Sequence, residues 1–235
     1  MNLVLIRHGK SVWNLENKFT GWYDIELAPE GMIEAEKAAS FLADNEFKPD
    51  VCFTSYLQRA NKTLEIILNH MPVKMVKDIE IIKSWKLNER HYGALQGLNK
   101  DDTKNKYGEQ KFLEWRRSYN IPPPILDEDS IMNPKKDPIY ENENTDELPL
   151  TECLKDTYDR VVPYWTSEIK PLILEKDVMI AAHGNSLRAL CKFLFDIEDD
   201  DIVNLEIPTG NPLLINLDKS CKILSARYLD SSRVE

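Results

Sequence analysis

Cysteine, histidine and long apolar runs are all scarce in this chain, and the scarcity of each excludes a class of protein. The four cysteines, Cys52, Cys153, Cys191 and Cys221, stand far apart and form no C-x-x-C pair. A disulfide scaffold or a zinc finger would need closer spacing, so we expect reduced, buried thiols. No apolar run approaches the ~18 residues that a membrane-spanning helix needs. We therefore expect no membrane association.

Basic charge is also in short supply. The 235 residues include 30 Lys and Arg against 40 Asp and Glu, which gives a net charge of -10. Binding to a nucleic-acid backbone requires a surplus of positive charge on one face, so we expect no nucleic-acid partner. A small anion in a local basic pocket remains compatible with this balance. The first apolar run, residues 3–6, is too short for a signal peptide and lacks its basic leader, which favours the cytoplasm.

Sequence motifs for metal and nucleotide binding are missing as well. The chain contains no P-loop, no H-E-x-x-H pair and no clustered set of carboxylates. We expect no metal cofactor, so any highly charged ligand must be held by protein groups alone.

The order of apolar segments predicts an α/β fold. Short continuous apolar runs, typical of strands buried on both faces, alternate with segments of helical periodicity. This alternation indicates a mostly parallel central sheet with helices on both faces. The predicted strands cover residues 3–6, 51–53 and 178–182, and the predicted helices cover residues 31–44, 59–71 and 153–175, the last divided by Pro163 and Pro171.

Residues 119–150 differ in character from the rest, being rich in proline and acidic side chains. The segment is too short for a domain of its own. We interpret it as a lid or excursion over the sheet edge within one domain that spans residues 1–235.

Polar residues follow each predicted strand. Arg7 and His8 follow the first, Ser55 and Arg59 the second, and His183 the third. Ligands of open α/β sheets bind beyond the carboxyl ends of the strands, so these three segments are expected to converge. A lone histidine is more often structural, but two at one sheet edge favour catalysis, and a neutral imidazole can attack phosphorus to form a phosphohistidine.

Phosphoryl transfer spreads negative charge over three oxygens, so its catalyst is mostly a cage of cationic donors. Six basic residues lie in or beside the polar motifs of this acidic chain, although Arg116 and Arg117 alone would also fit an ordinary surface pair. These six are Arg7, Arg59, Arg90, Lys100, Arg116 and Arg117.

Six sequence blocks together carry a resemblance to a known family. Between residue 3 and about residue 218 the chain resembles the 2,3-bisphosphoglycerate-dependent phosphoglycerate mutases of the histidine phosphatase superfamily. A bare Arg-His-Gly would be weak evidence, but six blocks in the family's order are specific. The blocks are RHG with Ser11 and Asn14, then FTGW at 19–22, LNERHYG at 87–93, GLNK at 97–100, WRRSY at 115–119 and AHGNSLR at 182–188.

The resemblance implies a role for each matching residue. His8 would carry the phosphoryl group, His183 would stabilise it during transfer, and Glu89 would exchange a proton with the substrate hydroxyl. An ion pair with Arg90 or Arg116 is the alternative role for Glu89. Arg7 and Arg59 would clamp the transferring group, with hydrogen bonds from Asn14 and Gly184. The substrate would also contact Ser11, Thr20, Gly21, Arg90, His91, Tyr92, Lys100, Arg116, Arg117 and Asn185.

The implied activity is the interconversion of 3-phosphoglycerate and 2-phosphoglycerate in glycolysis and gluconeogenesis, primed by 2,3-bisphosphoglycerate as phosphoryl donor. The implied partners are small phosphoglycerates, with a homodimer or homotetramer as the expected assembly. The alternatives are a bisphosphoglycerate synthase or phosphatase, a broad histidine phosphatase and, from a different class, an inactive binding module.

Two departures from the family pattern bear on the balance between mutase and phosphatase activity. Lys10 stands where the family usually has Glu or Gln, which would add a cation near His8. The sequence ends at Glu235, where family members usually continue into a basic tail. We expect weaker closure of the site, and more hydrolysis, without that tail.

Overall fold

The computed structural model describes residues 1–233. Six strands form one sheet in the order β3-β2-β4-β1-β5-β6. The strands are β1 (Asn2–Arg7), β2 (Val51–Thr54), β3 (Glu80–Lys83), β4 (Val178–Ala182), β5 (Leu213–Leu217) and β6 (Ile223–Tyr228).

Among residues 1–233, eight α-helices surround the sheet, and short 3-10 turns occur in several of the connecting segments. They are α1 (Val12–Leu15), α2 (Pro29–Asp44), α3 (Gln58–His70), α4 (Lys100–Tyr107), α5 (Glu109–Arg117), α6 (Leu154–Tyr164), α7 (Lys170–Ile173) and α8 (Gly184–Leu194). A π-helical turn, Trp165–Ile169, joins α6 to α7. The predicted division of residues 153–175 is confirmed, because the regular helix ends one residue after Pro163.

The sheet is mostly parallel, as predicted. Strands β1, β2, β3 and β4 pair in parallel, whereas β5 runs antiparallel to both β1 and β6. In β1, β2 and β4, alternate side chains enter two separate cores. Leu3, Phe53 and Ile180 face the core beneath α6 and α8, while Val4 and Met179 face the core beneath α2 and α3. Helices therefore cover both faces, which explains the unbroken apolar runs.

Two glycines fix the turn that follows β1. A Cβ on Gly9 would lie 2.1 Å from the carbonyl oxygen of Gly31, and a Cβ on Gly31 would lie 2.1 Å from the carbonyl oxygen of Lys10. Backbone therefore packs directly on backbone, which no larger residue permits. This contact seats the His8 turn against the start of α2.

Residues 119–150 contain three short 3-10 turns. Tyr140 and Leu148 from this segment are buried against Trp22 and Trp85, which attaches the segment to the loop that precedes Glu89. Its function as a lid, and the assignment of residues 1–235 to one domain, stay predictions. Within residues 1–233, no helix combines the length and apolar character of a membrane span.

Candidate active site

A cavity lies beyond the carboxyl ends of β1, β2 and β4, where the three polar segments converge as predicted. Its walls include thirteen of the residues singled out in the sequence: Arg7, His8, Asn14, Thr20, Gly21, Arg59, Glu89, Tyr92, Lys100, Arg116, Arg117, Gly184 and Asn185.

His8 sits directly after β1, where its backbone N–H donates to the carbonyl of Ala182. Its ring Nδ1 lies 2.7 Å from the carbonyl oxygen of Gly9. A carbonyl only accepts, so Nδ1 carries the proton and Nε2 keeps its lone pair. Burial, together with the charges of Arg59 and Arg7, lowers the pKa of His8 well below its usual value. The ring is therefore a neutral nucleophile at physiological pH.

His183 follows β4 and lies beside His8, with the two ring centroids 5.0 Å apart. Its Nε2 lies 2.7 Å from Oγ of Ser55, and the residue caps α8 in a reciprocal capping box with Ser186. Burial and the charge of Arg59 lower the pKa of His183 well below its usual value. Two neutral imidazoles therefore stand side by side.

Arg7 and Arg59 flank the two histidines. Arg59 is fully buried and donates to the carbonyls of Gly21 at 2.8 Å and Tyr23 at 3.0 Å. Burial lowers the pKa of Arg59 to about 10, with Glu89 and Asp24 acting in the opposite direction. Arg7 donates to a carbonyl from one terminal nitrogen, and the Nε atoms of both arginines are buried without a hydrogen-bond partner among residues 1–233. Unpaired cationic donors favour an anionic ligand.

Glu89 is held by one of its two oxygens. Oε1 accepts hydrogen bonds from the backbone N–H of Arg90 at 2.8 Å and from the N–H and side-chain amide of Asn185 at 3.0 and 2.9 Å. Oε2 faces Gly184, where an added Cβ would lie 3.7 Å from it. Within residues 1–233 Glu89 forms no ion pair with Arg90 or Arg116 at 4.0 Å or less. The geometry thus favours the proton-exchange role over the ion-pair alternative.

The far end of the cavity carries a second group of cations. Lys100 begins α4, and Arg116 and Arg117 end α5. Burial lowers the pKa of Lys100 and of Arg116. Arg117 forms an ion pair with Glu206. Arg116 and Arg117 are therefore cavity residues and not an ordinary surface pair.

Three predicted substrate contacts lie outside the cavity walls. Ser11 caps α1 and bonds reciprocally with Asn14: its backbone N–H donates to Oδ1 of Asn14, and its hydroxyl accepts from the backbone N–H of Asn14. Arg90 is buried behind the wall, where it stacks on Tyr92 at 4.4 Å and donates to the carbonyl of Arg116. His91 is fully buried, with its ring 5.6 Å from that of Trp22. Ser11 and Arg90 therefore contact wall residues without lining the cavity themselves, and His91 packs further from it.

The Lys10 side chain is exposed and also lies outside the cavity walls. The expectation about the basic tail concerns the chain from residue 234 onward, which lies outside the described residues.

Sequence reasoning missed five wall residues: Lys18, Phe19, Arg188, Glu206 and Ile207. Arg188 had a usable signal, because it lies four residues after Gly184 and therefore on the same face of α8. Its guanidinium donates to Oδ1 of Asn185 at 2.9 Å. Glu206 lies in an irregular segment before β5, and no motif marks it.

One ring nitrogen from each of His8 and His183 and one oxygen of Glu89 lie within 4.8 Å of one another, a spacing that would suit a metal ion. The charges around them oppose a cation, however, since Arg7 and Arg59 act on both imidazoles. The donor set as a whole favours a phosphoryl group.

Comparison with known proteins agrees with this geometry. The sequence profile of the histidine phosphatase superfamily, branch 1, matches residues 3–132. The chain belongs to the histidine phosphatase superfamily. Curated relatives in this superfamily include the 2,3-bisphosphoglycerate-dependent phosphoglycerate mutases of Borreliella burgdorferi strain ZS7 and Borreliella afzelii strain PKo. The B. burgdorferi protein is 52% identical over 99% of this chain and 94% of the relative, and the B. afzelii protein matches equally well.

Solved structures of two phosphatases share the fold at lower sequence identity. The α-ribazole phosphatase of Shigella flexneri superposes with a TM-score of 0.71 at 17% identity, covering 100% of this chain and 98% of that one. A mycobacterial glucosyl-3-phosphoglycerate phosphatase superposes with a TM-score of 0.69 at 19% identity, covering 97% and 96%. These likenesses confirm the predicted histidine phosphatase fold.

Proposed function

We propose that this chain interconverts 3-phosphoglycerate and 2-phosphoglycerate through a phosphohistidine on His8, primed by 2,3-bisphosphoglycerate. One observation carries the proposal: the Nε2 lone pair of His8 stands at a cavity with cationic donors at both ends. The 52% identity to phosphoglycerate mutases over nearly the whole chain supports the choice of substrate.

The hydrogen bonds that hold Oε1 of Glu89 leave Oε2 to exchange a proton with the substrate during the reaction. A hydroxyl of the bound phosphoglycerate gives its proton to the free oxygen of Glu89 and attacks phosphorus on His8. The P–N bond breaks as the new P–O bond forms, which leaves neutral His8 and 2,3-bisphosphoglycerate. In the return step the other phosphoryl group moves to Nε2, and Glu89 gives the proton to the departing oxygen. No net proton is gained or lost over the cycle.

The two groups of cations at the cavity bind different parts of the substrate. Arg7 and Arg59 lie beside His8 and suit the phosphoryl group in transfer, because transition-state charge collects there. Lys100, Arg116 and Arg117 suit the carboxylate and the phosphate that is not reacting. A bisphosphate that turns end for end meets cations in either orientation, which mutase chemistry requires.

We further propose that the reaction uses no metal, because the cage of arginines supplies the positive charge that a metal would otherwise provide. A cytoplasmic location and a homodimeric or homotetrameric assembly stay predictions.

The test compares His8→Ala with His70→Ala, which removes an exposed histidine on α3. Incubation with labelled 2,3-bisphosphoglycerate is expected to leave an acid-labile phosphate on the wild type and on His70→Ala, and none on His8→Ala. A coupled assay should show turnover of 3-phosphoglycerate that rises with 2,3-bisphosphoglycerate and survives EDTA. Label on His8→Ala would refute the nucleophile, and loss of activity in EDTA would refute the metal-free mechanism.

A further inference from the structure

Arg188 is part of the cavity wall, yet its hydrogen bonds go to other protein groups. It is buried on α8, three residues after Asn185. One terminal nitrogen donates to Oδ1 of Asn185 at 2.9 Å, and the other donates to the carbonyl oxygen of Ile202 at 2.6 Å. Ile202 is itself fully buried, at the start of a 3-10 turn. These two bonds fix the position of the guanidinium.

Arg188 keeps its positive charge in this buried position. Burial lowers the pKa of Arg188 to about 10, and the charges of Arg90 and Arg117 act in the same direction. A group with that pKa is still protonated at physiological pH. A protonated guanidinium has donors and no acceptor, so the atom of Asn185 that faces Arg188 must be an acceptor.

The other side of the Asn185 amide faces an atom that accepts. Oε1 of Glu89 accepts from the backbone N–H of Arg90 at 2.8 Å and from the backbone N–H of Asn185 at 3.0 Å. Two donors already face this oxygen, so it presents lone pairs, and Nδ2 of Asn185 donates to it at 2.9 Å. Nδ2 also lies 3.2 Å from the hydroxyl oxygen of Tyr92, which can donate or accept and therefore does not decide the orientation.

We propose that Arg188 is a positioning residue that fixes the orientation of the Asn185 amide, so that the amide nitrogen holds Oε1 of Glu89 while Oε2 exchanges the proton. This proposal deepens the proposed function and rests on it. The oxygen and nitrogen of an amide have nearly the same size and shape. Only their hydrogen-bond partners distinguish the two orientations.

The reversed amide would oppose both of its partners. Its N–H groups would face the donors of Arg188, and Oδ1 would place its lone pairs against those of Oε1 of Glu89. Without Arg188, the acceptor side of the amide loses the bond that selects the orientation. Glu89 would then lose one of its three hydrogen bonds to Oε1, and its carboxylate would no longer be held in one geometry for proton exchange.

The test is a double-mutant cycle of Arg188→Met and Asn185→Ala. A residue that acts only through the Asn185 amide has no effect once that amide is absent. Each single variant should lower kcat by about tenfold, and the double variant should also be about tenfold slower than the wild type. Independent effects would multiply to about a hundredfold, which would overturn the proposal. Arg188→Lys keeps a cation that can donate to Oδ1, so it should restore part of the rate.

Arg227→Met is the matched control. Arg227 lies on β6 and also donates to the side-chain oxygen of an asparagine, Asn45, at 2.6 Å, but it is exposed and does not line the cavity. The same substitution there removes a positive charge and an Arg–Asn bond, and it should leave kcat unchanged. An equal fall in kcat in Arg227→Met would overturn the proposal. A rise in KM with normal kcat in Arg188→Met would also overturn it, because Arg188 would then bind substrate directly.

Neutron diffraction from the wild-type protein is a second measurement, which does not require that any variant folds. The deuterons of the Asn185 amide should lie on the side of Glu89. Deuterons on the side of Arg188 would overturn the proposal. The proposed function fails separately, by absence of mutase turnover in the wild type, and the deuteron positions still report on the contact between Arg188 and Asn185.

Discussion

Asn185 donates two hydrogen bonds to Oε1 of Glu89, one from its backbone N–H at 3.0 Å and one from its side-chain amide at 2.9 Å. The first turn of α8 thus holds Oε1 and leaves Oε2 to exchange protons. The resemblance implied that Asn185 contacts the substrate. In this structure its amide is already engaged by Glu89, and its carbonyl oxygen accepts from Arg188.

Asn185→Ala should therefore lower kcat more than it raises KM, because the carboxylate keeps its charge and loses an orienting bond. We expect a fall of about tenfold, in line with the 1.5–3 kcal/mol of a hydrogen bond to a charged group partly offset by the remaining backbone bonds. Asn185→Asp should be worse, since it places two carboxylates in contact. A large rise in KM with normal kcat would instead assign Asn185 to substrate binding.

Glu89→Gln should lower kcat by about 10²–10⁴-fold with little effect on KM, because the amide fills the same space and cannot relay a proton. Glu147→Gln, which changes an exposed glutamate, is the matched control. Steady-state kinetics with 3-phosphoglycerate measure both constants. A normal rate for Glu89→Gln would move the proton exchange to water or to another carboxylate.

Glu206→Gln should strengthen anion binding. Glu206 is an exposed carboxylate at the cavity rim that pairs with Arg117, so a substrate anion must compete with it. Exposed ion pairs are worth about 0.2–1 kcal/mol, which predicts a fall in KM of about 1.5- to 5-fold, largest at low salt. Asp199→Asn removes an exposed acid paired with Lys192 and is the control. An equal fall in KM in both variants would show that the loss of a negative charge, and not of the ion pair with Arg117, causes the effect.

Stability should fall steeply in mild acid because three buried imidazoles are held neutral. Burial lowers the pKa of His8 and His183 well below the usual value and lowers the pKa of His91 to about 3. The unfolded chain protonates these rings near pH 6.5, so it binds more protons than the folded state below that pH. The free energy of unfolding should then decrease as pH falls, with a slope that approaches about 4 kcal/mol per pH unit.

Denaturant unfolding between pH 7.5 and pH 5 measures this slope. His91→Asn should remove about a third of it, because one of the three buried imidazoles is then absent. A flat profile through pH 6.5 would show that the buried rings accept protons without unfolding.

The central strands of the sheet, which helices cover on both faces, could be predicted from the sequence. β1, β2 and β4 are buried on both faces, so their sequences are unbroken apolar runs. The sheet edges carried no such signal. In β3 three of the four residues are exposed, and in β6 most are. Strands of that kind are defined by pairing with distant residues, which a local pattern does not reveal.

The site residues that the sequence did not predict likewise depend on contacts between distant parts of the chain. Strand ends predicted His8 and His183 at one sheet edge, whereas Glu89 was identified only through the family resemblance, because no predicted strand leads to it. Arg90 and His91 follow Glu89 directly, yet their side chains do not line the cavity. Glu206 joins the cavity only because its loop packs near α5. Which side chains face a ligand depends on such tertiary contacts.

The positively charged side chains of the site lie close together, so their mutual repulsion lowers the stability of the folded chain until an anion binds. Arg7, Arg59, Lys100, Arg116 and Arg188 line one cavity, and several of them lower one another's pKa. An anion that binds only the folded chain relieves that repulsion and adds about 2.7 kcal/mol of stability at one hundred times its dissociation constant. The melting temperature should thus rise with phosphoglycerate concentration. The ligand-bound chain should also resist thermal inactivation and proteolysis for longer than the unbound chain.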